Sequence, residues 1–186
     1  MRVRLVTLLL ALAAAGCIHH PPATRADYDA TITRSDFADW LAGYTLETKR
    51  ETIGKSEKDG IVIVEYDWLG DDGALAIALH SRVYWTKSPA EADAAYRAMQ
   101  ESFRPHRDLF DWLPVHTGGR WAEDKKCYRI VRADRATVGH VMFARRENVA
   151  VMVSLTGMHS EDPKLFEKAL EPELEKLSRH TPLDQR

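Results

Sequence analysis

Residues 137–156 read TVGHVMFARRENVAVMVSLT. Two strand-like runs, Thr137 to Arg145 and Val149 to Thr156, flank the polar turn Arg146-Glu147-Asn148, the pattern of an antiparallel hairpin. In the second run Val149, Val151, Val153 and Leu155 point one way, and Ala150, Met152 and Ser154 the other. The second set is small rather than charged. The strand is therefore expected at the centre of a sheet, covered on both faces.

The same period extends upstream. Cys127 to Ala133 forms a strand that reaches Thr137 through the turn Ala133-Asp134-Arg135-Ala136. An earlier set of three strands is expected at Tyr44 to Ile53, Ile61 to Leu69 and Ala74 to Thr86. Their turns are Ser56 to Gly60, with Asp59-Gly60 its strongest signal, and Gly70-Asp71-Asp72-Gly73. In the third strand Leu75, Ile77, Leu79, Val83 and Trp85 share a face, and Ser81 breaks the row.

Helix signals separate the two sets. Ser88 caps, Pro89 suits the first helical position and Glu91 completes a capping box. Ala92, Ala95, Tyr96, Met99 and Phe103 then form one apolar stripe. A closing helix starts at Asp162-Pro163 and carries Leu165, Phe166, Ala169, Leu170, Leu174 and Leu177, with a kink or break expected at Pro172. A short opening helix is capped by Ser35, buries Phe37, Trp40 and Leu41, and stops at Gly43. Between Arg104 and Lys125 the chain reads as a long irregular loop. The expected fold is α+β: an antiparallel sheet in the order βββ-α-βββ-α, preceded by a short N-terminal helix, with helices covering one face. This layout resembles, in topology, the Mog1/PsbP-like α/β sandwich group.

The N-terminus carries an address. Met1 to Arg4 is cationic, Leu5 to Ala15 is apolar, and Ala14-Ala15-Gly16-Cys17 follows. The apolar run is shorter than the roughly 20 residues a membrane span needs, so it reads as a signal peptide. Ala14-Ala15-Gly16-Cys17 resembles the lipobox of bacterial lipoproteins, with Ala14 where Leu is usual. The resemblance implies cleavage before Cys17 and a diacylglyceryl thioether on its sulfur. Ile18, in place of the Asp that favours inner-membrane retention, implies the outer membrane facing the periplasm in a two-membrane host. The expected organisation is a signal peptide over 1–16, a lipidated tether over 17–30 containing Pro21-Pro22, and a single domain over 31–182.

Bulk properties narrow the function classes. Removing Arg2 and Arg4 with the signal takes the formal charge from −2 to −4. Mild acidity offers no basic patch for nucleic acid. With Cys17 acylated only Cys127 remains, so no internal disulfide can form. Cys127 reads as an inert, half-buried thiol, and His80 and His140 as structural residues within strands. His19-His20, in the tether, lacks the rigid second shell of a metal site.

No nucleophile elbow, zinc-helix motif or phosphate loop is present, and no cofactor or metal is called for. The one functional cluster lies in 104–125: His106, Arg107, Asp108, Asp111, Trp112, His116 and Arg120, among Phe110 and Trp121. Long loops of this kind are often functional. This one is either a ligand mouth or a segment folding back so that Phe110, Trp112 and Leu113 plug the core. Three functions stay open: a membrane-anchored, non-catalytic module serving an envelope protein partner; a small-ligand binder using the loop; and a hydrolase or metal enzyme built on its His and Asp residues.

Overall fold

The structure is a computed structural model that describes residues 24–103, 110–115, 121–157 and 162–179. Helix α1 spans Arg25–Asp29. A 3₁₀ turn, Arg34–Phe37, runs into α2, Ala38–Leu41. Strands β1 (Glu47–Lys58), β2 (Ile61–Asp71) and β3 (Ala76–Trp85) precede α3 (Pro89–Ser102). Then come β4 (Phe110–Val115), β5 (Asp124–Arg132), β6 (Thr137–Arg146), β7 (Val149–Thr156) and α4 (Pro163–Arg179). The strands form one seven-stranded sheet in the order β1-β2-β3-β7-β6-β5-β4, antiparallel throughout.

The α+β class and the antiparallel sheet stand. The strand count is corrected: the second set has four strands, because β4 lies inside the stretch read as loop. Pro114 hid it. Proline cannot donate to a ladder and is tolerated only where one side of the strand is unpaired, and β4 is the sheet's edge. In β1–β2 the hairpin closes on Asp59 and Gly60 alone, both at positive φ (56° and 76°), so β1 runs on past Ile53 to Lys58, while β2 starts at Ile61 as expected.

The helix caps also differ in detail. The opening helical turn is capped at Thr33 rather than Ser35, with Asp36 closing the box by accepting from the Thr33 N–H at 2.6 Å. Residues 24–30, counted with the tether from sequence, carry α1, whose Asp27 lies 3.9 Å from Lys55 of β1. Ser88 caps α3 by accepting from the Glu91 N–H, while the Glu91 carboxylate reaches Lys87 N–H instead of Ser88. No break occurs at Pro172: α4 runs through it. Leu170, Leu174 and Leu177 are buried on both sides of the exposed proline and hold the two halves on one core.

Helices cover both faces, not one. The face of Val64, Tyr66, Leu79, Val83, Met142 and Val153 packs under α4, the opening helical turn and the segment Ala30–Ile32. The opposite face carries α3, whose Tyr96 and Met99 meet Val141, Phe143, Ala150 and Met152. The reason lies in β6 and β7, which bury both rows of side chains. Ser81, the interruption in the β3 row, is fully buried. It donates to Ile32 O at 2.6 Å and meets Thr31 Oγ1 at 2.9 Å, docking the N-terminal segment on the sheet. Thr86 and Asn148 exchange three bonds of 2.9–3.0 Å that tie the end of β3 to the β6–β7 turn.

Phe166 is the hub of the α4 face: its ring lies 6.0 Å from Phe37, 5.8 Å from Trp40 and 5.4 Å from His140. Phe166→Ala is expected to cost about 3–5 kcal/mol in urea unfolding; a loss below about 1 kcal/mol would mean that α4 is not docked there. Burial, and then Asp36, raise the Glu173 carboxyl above its ordinary value. Its contribution is therefore present below the unfolded value of about 4.3 and lost as pH rises through the folded one. Glu173→Gln is expected to stabilise at pH 7 by about 0.5 kcal/mol after solvent screening, with no gain below pH 4.

Candidate functional site

Of the residues singled out in the 104–125 stretch, Asp111 and Trp112 are described; His106, Arg107, Asp108, His116 and Arg120 lie outside the described residues, as does Cys17. Asp111 is exposed on β4. Trp112 is half-buried and points to the α3 face, opposite Ile130 in the ladder. Its ring sits 5.3 Å from Tyr128, 5.9 Å from Phe103 and 6.0 Å from Phe143. Trp121 goes elsewhere: it is 5% exposed, in the core beneath α4. The long stretch therefore divides between the two faces of the sheet. Cys127 is also buried in that core.

Phe110 and Trp112 form a ridge between two grooves, because α3 covers β6 and β7 but leaves β4 and β5 open beside it. One groove, of about 830 Å³, lies between α3 and β4–β5. Its aromatic floor of Tyr96, Tyr128 and Phe143 is rimmed by Asp93, Arg97, Gln100, Asp124 and Lys126. Most of these rim groups satisfy one another: Lys126 donates to Gln100 at 2.7 Å, and Arg145 holds Asp124 at 2.5 Å. Burial pushes the Tyr96 phenol up to about 12, so it stays neutral.

The second groove, of about 530 Å³, is mainly apolar. Phe103, Phe110, Trp112, Ile130 and Val138 form its walls, with Arg132 at the rim and Ser154, Thr156 and Gly157 lining it from the end of β7. Gly157 is required there. Its φ is +87°, its N–H donates to Val138 O at 2.7 Å, and an added Cβ would fall 1.9 Å from Ala76 O. Ser154 is 4% exposed. The buried Trp112 Nε1–H has no acceptor among the described residues.

Beside this groove stands a pair the sequence did not mark as functional. Asp67 of β2, His80 of β3 and Ser154 of β7 are in register across three strands and share the α3 face. His80 Nδ1 lies 2.6 Å from Asp67 Oδ1, and the imidazole stacks on Phe103 at 5.8 Å with 2° between planes. The bond from His80 holds the Asp67 carboxyl below its ordinary value, so it is ionised at neutral pH. A carboxylate at Nδ1 orients the imidazole ring. No sequence pattern could join these residues, since the β3–β7 pairing that aligns them is a contact between distant segments.

His140 is 2% exposed and stacked on Phe166, as a structural histidine would be. Among the described residues no three His, Cys, Asp or Glu side chains converge as a metal site, and no helix is long and apolar enough to cross a membrane.

No protein-family model matches the chain, and no curated protein matches it in sequence. Its fold is similar to that of the extracellular domain of PknH from Mycobacterium tuberculosis, with a TM-score of 0.54 over 87% of this chain and 100% of that one, at 8% identity. At that identity the likeness is one of fold.

Proposed function

We propose that this chain is a membrane-anchored, non-catalytic lipoprotein module of the cell envelope that binds an amphipathic small molecule in the groove beside β4. The observation that carries the reading is the second groove itself. Its volume lies in the usual range of ligand sites, and apolar walls with a few convergent polar groups are what such sites present. An apolar body would fill the space between Phe103, Phe110, Trp112 and Val138. Its polar groups would meet the Ser154 hydroxyl, the Trp112 N–H and the Arg132 guanidinium. A polar group in the ligand would answer the cost of leaving the Trp112 N–H buried without an acceptor among the described residues, while Arg132, held by Asp134 at 2.8 Å, offers charge at the rim.

The anchor rests on the sequence around Cys17, where several acyl chains hold a protein stably on a membrane. With Ile18 after it, the site of action is the periplasmic side of an outer membrane in a two-membrane host. That PknH carries a domain of this fold outside the cell supports an exported setting. Binding of an envelope protein partner is the alternative occupant of this face; among the described residues no three His, Cys, Asp or Glu side chains converge as a metal site, and His106, Asp108 and His116, on which the hydrolase or metal-enzyme reading rests, lie outside them.

Two measurements test the proposal. Wild type is expected in the membrane fraction and Cys17→Ser in the soluble one; a wild-type chain that stays soluble overturns the anchor. For the groove, the Cys17→Ser chain is titrated with the apolar anion 1-anilinonaphthalene-8-sulfonate and followed by fluorescence. Val138→Trp, which fills the groove, is expected to weaken binding roughly tenfold or more, while Asp93→Ala in the neighbouring groove leaves it unchanged. Undiminished binding by a folded Val138→Trp chain overturns the site.

A further inference from the structure

The two edges of the sheet are built differently. β4 is six residues long and carries Pro114. β1 is twelve residues long, has no proline, and among the described residues nothing pairs with its outer side. Long open edges invite pairing, and natural proteins blunt them with charge, proline or bulges. β1 has one bulge, between Thr48 and Arg50, so the regular stretch is Arg50–Lys58. Its burial is lowest of all the strands; only Ile53 and Lys55 are half-buried.

The charges along this stretch are not a simple barrier. Glu51, Ile53 and Lys55 alternate on one face, opposite Trp68, Tyr66 and Val64 of β2. A second copy paired antiparallel about a twofold axis through Ile53 keeps this face continuous across both sheets. It places Ile53 against Ile53 and Glu51 against Lys55, twice by symmetry, beside the contacts these two side chains already make within their own chain, Glu51 with Tyr66 and Arg34 and Lys55 with Asp27. Sliding the register so that the axis passes through residue 54 sets Glu51 against Glu57 and Arg50 against Lys58. Sliding it the other way, to residue 52, leaves only Arg50–Gly54 of the regular stretch paired and brings Lys49 against Lys55. Directly opposed like charges destabilise a strand pair and opposed unlike charges support it. The geometry points to β1 as a self-pairing edge: two copies of this chain join their sheets through Arg50–Ser56, in the register centred on Ile53.

In that register the two Ile53 Cα atoms lie about 4.5–5.5 Å apart, within the roughly 4.4–6.8 Å that a disulfide spans. Two Glu51 Cα atoms are offset along the strands by about 13 Å. The test is mild oxidation of full-length Ile53→Cys in membranes, read on a non-reducing gel, with wild type as the background for Cys17 and Cys127. Ile53→Cys is expected to form a covalent dimer, and Glu51→Cys is not. Adding Lys55→Glu sets four carboxylates together and is expected to lower the dimer yield about tenfold. The further change Glu51→Lys restores it. No dimer from a folded Ile53→Cys chain overturns the proposal. So does equal crosslinking at 51 and 53, or a yield indifferent to Lys55→Glu.

Discussion

The structure depends on one constraint, the burial of β7 on all sides. Its backbone is hydrogen-bonded to β3 on one side and β6 on the other, and both rows of its side chains are shielded from water. A strand of that kind cannot be an edge, and it cannot be covered by one layer of helix. The sheet must extend past it in both directions, and each face needs its own cover. The three-layer arrangement and the joining of two meanders at β3–β7 both follow from this.

The crossing of α3 follows in turn. The chain leaves β3 at the centre of the sheet and must reach β4 at the far edge before winding back through β5 and β6. α3 makes that passage over β6 and β7 and stops there. It shields the middle of the face and leaves the ground beside β4 and β5 uncovered. The aromatic residues of that ground, Trp112 and Tyr128, then line open grooves instead of a closed core. Ser154 and Thr156 sit where α3 ends, which is why hydroxyls occur in an otherwise apolar groove.

Much of this was legible in residues with strong periodicity. The centrality of β7 is written in Ala150, Met152 and Ser154, whose small or apolar side chains have no business on a solvent face. The Asp59-Gly60 turn is written in two residue types that tolerate positive φ. What was not legible is what depends on long-range pairing. The edge position of β4 alone makes Pro114 acceptable in a strand, so FDWLPV read as a loop. Ser81 looked like a flaw in an apolar row because its partners, Thr31 and the Ile32 carbonyl, are about fifty residues away. The alignment of Asp67, His80 and Ser154 needs two ladders at once. Trp112 and Trp121 read as aromatics of one loop, and only the fold separates them: Trp112 faces the grooves, whereas Trp121 belongs to the opposite core.

The stability of the parts is uneven in a way that bears on binding. β6 and β7 are tied on both edges and both faces, and opening them requires disrupting the whole core. β4 is tied on one edge only, by six residues, and its Phe110 and Trp112 contribute half-buried packing. Elements with few buried contacts and one exposed edge open at a lower free energy than the global one. The groove's outer wall is therefore its least secured part, while its floor, the end of β7, is the most secured. A rigid floor that fixes the polar groups, beside a wall that can yield, lets a ligand enter without loosening the groups that orient it.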